Sequence, residues 1–379
     1  MPLRPSVAHI AFDADQFERL RRALAAGELS PAGARLVTPP RPLGPGDLLD
    51  LRGAPAGLQA ERRARGEAAL RAGKVAALIL NGGMATRFGG VVKGVVPVLP
   101  ERPDLSFLAV KLAGVRASGA AVPAVLMHSF ATAAASREHL AAIDWSGVPP
   151  AGRLEFLQSL LPRVLPDGTP LVTLPGAEAL PDTAVYAAPG HGDTLRRVRD
   201  SGVVAELRAR GVEHVLVSNV DNLGASLDPA TLGAHLQAVE AGAELSVEVV
   251  SRAPGDAGGC VALLGDRPAI VESFRLPPGT DLASYPHFNT NTLWIARATL
   301  EREHPLSWFP VERTIDWPGR GQVAIVQFEQ LIGQITESAR AACLLVDRGR
   351  FLPIKTREDL AAARPAMIEL VRSVGFTAP

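Results

Sequence analysis

The chain has 379 residues, of which 47% are hydrophobic and 21% are charged, a composition typical of a globular protein that can bury a large core. Lysine plus arginine and aspartate plus glutamate each number 39, so no net charge favours nucleic acid or an anionic membrane, and we expect neither as a partner. Two distant cysteines, Cys260 and Cys343, argue against a disulfide framework and a zinc site, and the lack of a signal peptide or long apolar segment predicts a cytoplasmic location.

Residues 1–73 are predicted to form a short helical N-terminal extension. Asp13 is a suitable N-cap for a first helix, and Gly27 can end it. A second helix is predicted over residues 58–73, after a loop rich in proline and glycine at residues 38–51.

Residues 74–310 contain short apolar runs that alternate with amphipathic segments. The runs that indicate strands are VAALIL (75–80), VPAVLM (122–127), HVLVSN (214–219), LSVEVV (245–250) and FNTNTLWI (288–295). One helix between them begins after Asp228. This alternation predicts an α/β fold with a mainly parallel central sheet flanked by helices, made mixed by a hairpin over residues 261–274 that turns through Gly265–Pro268. Residues 311–379 follow as a C-terminal part with a strand-like FLPIK segment and a final helix.

A glycine-rich loop follows the first of these strands. Gly82 and Gly83 let a ligand approach the backbone, and Arg87 and Lys93 add cationic side chains, a combination that suits a phosphate. A tight turn with two solvated cations would account for the same residues. Neither the GxGxxG fingerprint of dinucleotide-binding folds nor the GxxxxGK[ST] Walker loop is present.

A second polar cluster ends the HVLVSN strand. Asn219 and Asp221 lie two residues apart, so an extended chain would place both side chains on one side. An aspartate at the carboxyl edge of a parallel sheet can hold a divalent cation against a nucleotide phosphate. Turn formation by asparagine and aspartate is the alternative explanation.

Five further polar residues are candidates, each of which also has an ordinary structural explanation. His191 lies between two glycines, where an accessible imidazole could contact a phosphate or a sugar. Asn289 and Asn291 are predicted to share one face of a strand, and Glu272 and Lys355 follow apolar segments. Lysines, carboxylates, asparagines and glycine loops together favour phosphoryl or nucleotidyl transfer, in which the protein positions and neutralises its substrates.

These stretches together resemble the UTP–glucose-1-phosphate uridylyltransferase (UDP-glucose pyrophosphorylase) family. The similar segments run in the family's order from about Leu80 to Leu360: LNGGMATRFGG..KG, LMHSF, FLQSLLPR, PGHGD, SNVDNLGASLD, AGGC, FNTNTLWI and RFLPIKTREDL. The resemblance implies a Rossmann-like nucleotidyltransferase fold, with residues 74–310 as the catalytic domain. It also implies that residues 311–379 supply the FLPIKT segment. As a departure from the family's eukaryotic members, we expect no β-helix domain in this C-terminal part.

The resemblance further implies UTP and a sugar 1-phosphate as substrates, with Mg2+ as cofactor. The residues that it assigns to the nucleotide are Leu80, Asn81, Gly82, Gly83, Lys93, Gln158, Gly190, Asn219 and Lys355. Those that it assigns to the sugar phosphate are His191, Asn219, Val220, Asp221, Glu272, Asn289 and Asn291. Lys93 and Lys355 would be catalytic, Gln158 would read the uracil, and Asp221 would hold the metal.

The chain departs from the family pattern at several positions. Its glycine loop reads Gly-Met-Ala-Thr-Arg over residues 83–87, with one lysine rather than two, which affects the register of Lys93. Ala257 stands where lysine is common, and His128 where asparagine is usual.

Several functions stay open on the sequence. The first is UDP-glucose synthesis from UTP and glucose 1-phosphate, and the second is the same chemistry on N-acetylglucosamine 1-phosphate or galactose 1-phosphate. A catalytically silent nucleotide-sugar-binding regulator would not need Lys93, Asp221 and Lys355 together. A dinucleotide-dependent oxidoreductase is disfavoured, because the chain lacks the GxGxxG fingerprint of such enzymes. The sequence does not indicate the oligomeric state.

Overall fold

The structure, a computed structural model, describes residues 3–84, 91–119, 121–256 and 258–377. Its strands are β1 (Arg41–Pro42), β2 (Leu49–Asp50), β3 (Val75–Asn81), β4 (Ala124–His128), β5 (Arg153–Leu157), β6 (Leu161–Pro162), β7 (Tyr186–Ala187), β8 (His214–Asn219), β9 (Leu245–Ser251), β10 (Cys260–Leu264), β11 (Arg267–Val271), β12 (His287–Ala296), β13 (Phe309–Trp317), β14 (Gly321–Glu329) and β15 (Ala341–Leu345). Its helices are α1 (Ala14–Ala25), α2 (Ala56–Arg71), α3 (Phe107–Ser118), α4 (Ala133–Ala142), α5 (Asp182–Val185), α6 (Thr194–Asp200), α7 (Val203–Ala209), α8 (Pro229–Glu240), α9 (Arg297–Leu300), α10 (Ile335–Ser338), α11 (Arg357–Ala362) and α12 (Arg364–Ser373).

A mixed sheet forms the centre of the molecule. Its main path runs β2-β15-β9-β12-β8-β3-β4-β5, and β1, β10 and β11 join it beside β12. The strands around β3 are parallel, whereas β12 runs antiparallel to β8 and β9. The predicted α/β fold with helices on a mixed central sheet is therefore confirmed, as is the β10–β11 hairpin.

The core lies on both faces of this sheet. Every residue of β3 is buried, with Ala77 and Ile79 in the apolar cluster on one face and Leu78 and Leu80 in the cluster on the other. A strand with two covered faces needs an unbroken apolar sequence, which is why VAALIL shows no alternation of polar residues.

The register of β3 and β8 positions the polar loops. Ile79 pairs with Ser218 and Leu80 with Asn219, so the two strands end side by side. In parallel α/β sheets, ligands bind in the crevice outside the carboxyl ends of the strands. The loops after Asn81 and Asn219 meet at this edge.

The first 73 residues contribute two helices and two edge strands. Asp13 caps α1 by accepting a hydrogen bond from the Gln16 amide at 2.9 Å, as predicted. Short strands β1 and β2 pair with β10 and β15, so part of this segment belongs to the central sheet. The division of the chain at residues 73 and 310 stays a prediction.

Three local predictions are wrong in detail. The FLPIK segment forms no strand. Among the described residues, its only β-type pairing is an isolated bridge between Pro353 and Asn222. The final helix is divided into α11 and α12 at Ala363. The hairpin turn is tighter than predicted, because Arg267 and Pro268 already belong to β11.

No helix in the described part of the chain combines the length and apolar character that a membrane span requires.

Helices α2 and α8 pack so closely that neither tolerates a side chain at the contact. A Cβ atom at Gly233 would lie 1.9 Å from the carbonyl oxygen of Arg62, and one at Gly66 would lie 1.9 Å from that of Pro229. Both partners are backbone atoms, so the helices themselves would have to separate.

We predict that Gly233→Ala lowers the free energy of unfolding by about 1–3 kcal/mol, because the strain of overpacking outweighs the better helix propensity of alanine. Gly57→Ala in α2 is the matched control, since a Cβ atom there has no neighbour within 4 Å. Thermal unfolding midpoints measure both effects. An unchanged or raised midpoint for Gly233→Ala would contradict the close contact.

Candidate active site

A cavity of about 940 Å³ opens at the carboxyl ends of β3 and β8. Eleven of the residues predicted from the sequence line it: Leu80, Asn81, Gly82, Gly83, Lys93, Gln158, Gly190, His191, Asn219, Val220 and Asp221. The fold therefore brings the predicted nucleotide residues other than Lys355, and part of the predicted sugar-phosphate residues, to one place. Their individual roles stay predictions.

Lys93 and Asp221 form an ion pair in this cavity. Lys93 Nζ lies 2.9 Å from Asp221 Oδ2, and both side chains are largely buried. The lysine lies in a short helical turn after the glycine loop, and its ammonium is 6.0 Å from the centroid of the Phe107 ring. At the carboxyl end of a parallel strand, a lysine ammonium can bind a phosphate, and a neighbouring carboxylate can bind a metal ion.

Gln158 closes the opposite side of the glycine loop. Its Oε1 accepts a hydrogen bond from the Gly83 amide at 3.2 Å, and its Nε2 donates to the Gly190 carbonyl at 2.8 Å. A Cβ atom at Gly82 would lie 2.0 Å from Gln158 Oε1, so only glycine fits beside this amide. The fixed side chain places a primary amide, which both donates and accepts, on the cavity wall.

Gly190 is required for a different reason. Its φ is +77°, and a Cβ atom there would lie 2.5 Å from the Gln330 carbonyl oxygen. The PGHGD segment can therefore pack against the chain after β14 only with glycine at this position.

Asn81 anchors the loop from behind. Its Nδ2 donates to Ser136 Oγ at 2.8 Å and to His128 Nδ1 at 3.0 Å. His128 is fully buried, and its Nε2 faces Glu155 Oε2 at 3.7 Å. The histidine that replaces the family's usual asparagine thus supports Asn81 and does not line the cavity.

His191 faces the cavity as a neutral imidazole. Its Nδ1 accepts a hydrogen bond from the Ile332 amide at 2.9 Å, and burial lowers its pKa to about 4. The neutral ring then carries its proton on Nε2. It can donate to a phosphate or hydroxyl oxygen without adding charge.

Asn289 and Asn291 reach the site through Asn219. Asn291 Nδ2 donates to Asn219 Oδ1 at 3.0 Å, and Asn289 Oδ1 accepts from the Asn291 amide at 3.0 Å. The expectation of a regular strand with both side chains on one face is wrong, because β12 has a bulge between Asn289 and Thr292 and Asn291 has φ +55°. Neither asparagine lines the cavity directly.

Glu272 and Lys355 also lie outside the cavity lining. Burial raises the pKa of Glu272, which lies beside Gly259. The Lys355 side chain is exposed, but the preceding residue, Ile354, donates its amide to the Asp221 carbonyl at 3.1 Å. The FLPIKT segment is therefore joined to the metal candidate through the backbone.

The sequence did not indicate the far wall of the cavity. Arg163 is buried there, donating through Nε to Gln327 Oε1 at 3.2 Å, and burial lowers its pKa to about 10, so it stays charged. Arg313 and Glu329 from the β13–β14 hairpin complete this wall. Arg163 ends the FLQSLLPR segment, but nothing in the sequence placed the hairpin opposite it. Arg87 and Ala257, named above, lie outside the described residues.

We predict that His191 stays neutral from about pH 5 to pH 8, with Nδ1 unprotonated. Because the folded pKa of about 4 lies below the ordinary 6.5, the unfolded state binds the proton first, and stability falls as the pH drops between these values. Imidazole 15N spectra, with His191→Gln to assign the signal, measure the tautomer. A His191 signal that titrates near pH 6.5 would contradict the buried hydrogen bond.

Comparison with known proteins identifies the family. Residues 54–374 match the family UTP–glucose-1-phosphate uridylyltransferase. The chain is 32% identical over 332 residues to a Schizosaccharomyces pombe protein named "Probable UTP–glucose-1-phosphate uridylyltransferase", covering 81% of this chain and 63% of the relative. It is also 32% identical over 313 residues to the Saccharomyces cerevisiae UTP–glucose-1-phosphate uridylyltransferase, covering 78% and 60%. The chain thus spans about three fifths of the length of these curated relatives.

A solved structure gives the same result. The fold matches a mutant UDP-glucose pyrophosphorylase from Leishmania major, in complex with UDP-Glc, with a TM-score of 0.71 and 25% identity. The match covers 94% of this chain and 76% of that one. By sequence and fold, this chain belongs to the UTP–glucose-1-phosphate uridylyltransferase family.

Proposed function

We propose that the chain transfers UMP from UTP to glucose 1-phosphate, giving UDP-glucose and pyrophosphate. The observation that carries the proposal is the cavity in which the Lys93–Asp221 pair lies together with the Gly82–Gly83 loop and Gln158. The family, and the activity named for its relatives, supports the same chemistry.

The reaction requires charge neutralisation more than proton transfer. A phosphate oxygen of glucose 1-phosphate attacks the α-phosphorus of UTP, and the bond from that phosphorus to the bridging oxygen of pyrophosphate breaks. The nucleophile is already ionised, so no general base is needed. Lys93 and Lys355 would stabilise negative charge on the transferring and leaving phosphates, an effect that a partly buried site strengthens.

The nucleotide and the sugar would occupy different ends of the site. Gln158 and the exposed backbone of Gly82 and Gly83 would bind the uridine, because a fixed amide can pair with an imide edge. His191 would donate Nε2–H to the sugar phosphate. Asn291 and Asn289, coupled to Asn219, would meet sugar hydroxyls when the site closes.

Mg2+ is part of the proposal. Asp221 and the amide oxygen of Asn219 suit a hard cation, whereas the described residues contain no group of three or more histidine, cysteine or acidic side chains that could hold a metal. Mg2+ is commonly held by one or two carboxylates and by substrate phosphates, so this donor set fits a metal that arrives with UTP. When bound, it would offset phosphate charge.

We also propose that the protein acts in the cytoplasm. Cys260 and Cys343 are free thiols, and burial raises their pKa to about 11 and about 12, so both are unreactive. Cell fractionation that recovers the protein outside the cytosolic fraction would contradict this.

The first functional prediction concerns turnover. With Mg2+, UTP and glucose 1-phosphate, the protein should release pyrophosphate. Lys355→Ala should lower kcat by about 100-fold or more, because the variant loses one positive charge that stabilises the phosphates. Lys74→Ala is the control, since Lys74 is a partly exposed lysine outside the cavity lining and pairs with Glu213 at the surface. A pyrophosphate assay with a panel of sugar 1-phosphates measures both.

The panel separates the alternatives. Turnover with N-acetylglucosamine 1-phosphate or galactose 1-phosphate alone would support the proposed reaction but with a different sugar substrate. UDP-glucose binding without turnover on any sugar would favour a silent binder.

The second functional prediction concerns the metal. Asp221→Asn should abolish most turnover and should weaken Mg2+ binding in the presence of UTP, because a neutral amide is a poorer ligand than a carboxylate. Calorimetric titration of Mg2+ measures the binding apart from activity, with Asp104→Asn as a surface control. If Asp221→Asn binds Mg2+ with unchanged affinity, Asp221 is not a ligand of the metal.

A further inference from the structure

A buried lysine beneath the site has no role in the chemistry described so far. Lys111 lies in the middle of α3, 7% exposed, with apolar residues on both sides in the helix. A lysine that is almost fully buried is uncommon unless it is paired, because burial disfavours its charge. Burial lowers the pKa of Lys111 to about 7.

The ammonium group contacts two neutral acceptors. Nζ donates to Ser218 Oγ at 3.0 Å and to the Ala225 carbonyl oxygen at 2.8 Å. No carboxylate within the described residues forms an ion pair with it. The adjacent cavity of about 40 Å³ is otherwise mostly apolar and has room for about one water molecule. These two hydrogen bonds are the direct polar contacts of the buried amine within the described residues.

The two acceptors lie on either side of the catalytic segment. Ser218 directly precedes Asn219 at the end of β8, and Ala225 follows the turn that contains Asp221. One cation thus ties both ends of the segment 218–225 to α3. Other contacts of the segment run to β3, to β12 and to residues 352–354: the Val220 amide bonds to the Leu80 carbonyl, the Asn222 side chain accepts from the Leu352 amide and donates to Thr292, the Asp221 carbonyl accepts from the Ile354 amide, and the Asn219 side chain accepts from Asn291. Lys111 joins both ends of the segment to one helix, α3.

The carboxylates near Lys111 form ion pairs with other residues. Asp221 and Glu248 favour its charged form and Arg350 opposes it. Asp221 is paired with Lys93, and Glu248 accepts two hydrogen bonds from Arg350 at 2.7 Å each. Lys111 therefore contributes chiefly the placement of the loop, through its hydrogen bonds to Ser218 and Ala225.

We propose that Lys111 is a positioning residue that fixes the Asn219–Asp221 segment, and with it the carboxylate that faces Lys93. The proposal rests on the proposed function for its kinetic test, but not for its structural test. Lys111 touches neither the cavity nor any predicted site residue directly, so it is not a catalytic residue.

The test compares Lys111→Met with Val115→Ala. Methionine keeps the length and apolar stem of lysine and removes the charge and the donors. Val115 lies one turn later in α3 and lines the same small cavity without a polar atom, so its truncation measures the loss of packing alone. Lys111→Gln, which keeps a shorter neutral donor, should restore part of the effect.

In Lys111→Met we expect kcat to fall by about 10- to 100-fold, the range typical for residues that orient the groups of a metal site. The KM for UTP should change by less than about threefold, because Gln158 and the glycine loop are untouched. Hydrogen exchange of the peptide 218–226 should become at least about tenfold faster. Val115→Ala should lower thermal stability with an unchanged kcat and unchanged exchange in that peptide.

The outcomes separate the two proposals. Unchanged kcat and unchanged exchange in Lys111→Met would overturn the positioning role, as would a loss of thermal stability without either change. Inactive wild-type protein would instead contradict the proposed function, and the exchange comparison would still decide the role of Lys111. If Lys111→Met does not fold, Ser218→Ala, which removes one acceptor and leaves the lysine in place, provides the same comparison with a smaller expected change.

Discussion

The parallel register between β3 and β8 is the constraint on which the rest of the site depends. It aligns Leu80 with Asn219, so that the glycine loop and the Asp221 turn leave the sheet at the same height. Only then can Lys93, twelve residues beyond Asn81 in the chain, come within 2.9 Å of Asp221. A slip of one residue would move every side chain of β3 to the opposite face and would separate this pair.

Burial strengthens the electrostatic interactions of the charged side chains at this edge of the sheet. The chain as a whole carries no formal net charge, so its overall charge balance favours neither anions nor cations. Within the site, however, low polarity strengthens each interaction and also penalises each unpaired charge. Lys93 and Asp221 are paired, Glu248 and Arg350 are paired, and Lys111 is held by neutral oxygens. Around the Asp221 turn, each of these charged side chains is therefore held in position by its partner.

Much of the cavity lining at the ends of β3 and β8 could be predicted from the sequence, because its residues follow apolar strands that are recognisable locally. Gly82, Gly83, Lys93, Asn219 and Asp221 all line the cavity, as the end of each strand indicated. The placement of Asn289 and Asn291 was harder to predict. The strand FNTNTLWI was recognised, but the bulge that reorients Asn291 arises from its pairing with β9, a contact between residues about forty positions apart.

The sequence by itself determined which segments form strands and helices, because apolar periodicity and capping residues such as Asp13 act over a few positions. It also determined the family, since the polar motifs follow in a fixed order along the chain. Tertiary structure alone decided that the β13–β14 hairpin forms the far wall, that His128 supports Asn81, and that Lys111 holds the Asp221 turn. Each of these is a contact between residues distant in sequence. Polar groups that the fold buries need hydrogen-bond partners, and no local pattern of residues encodes which groups become buried together.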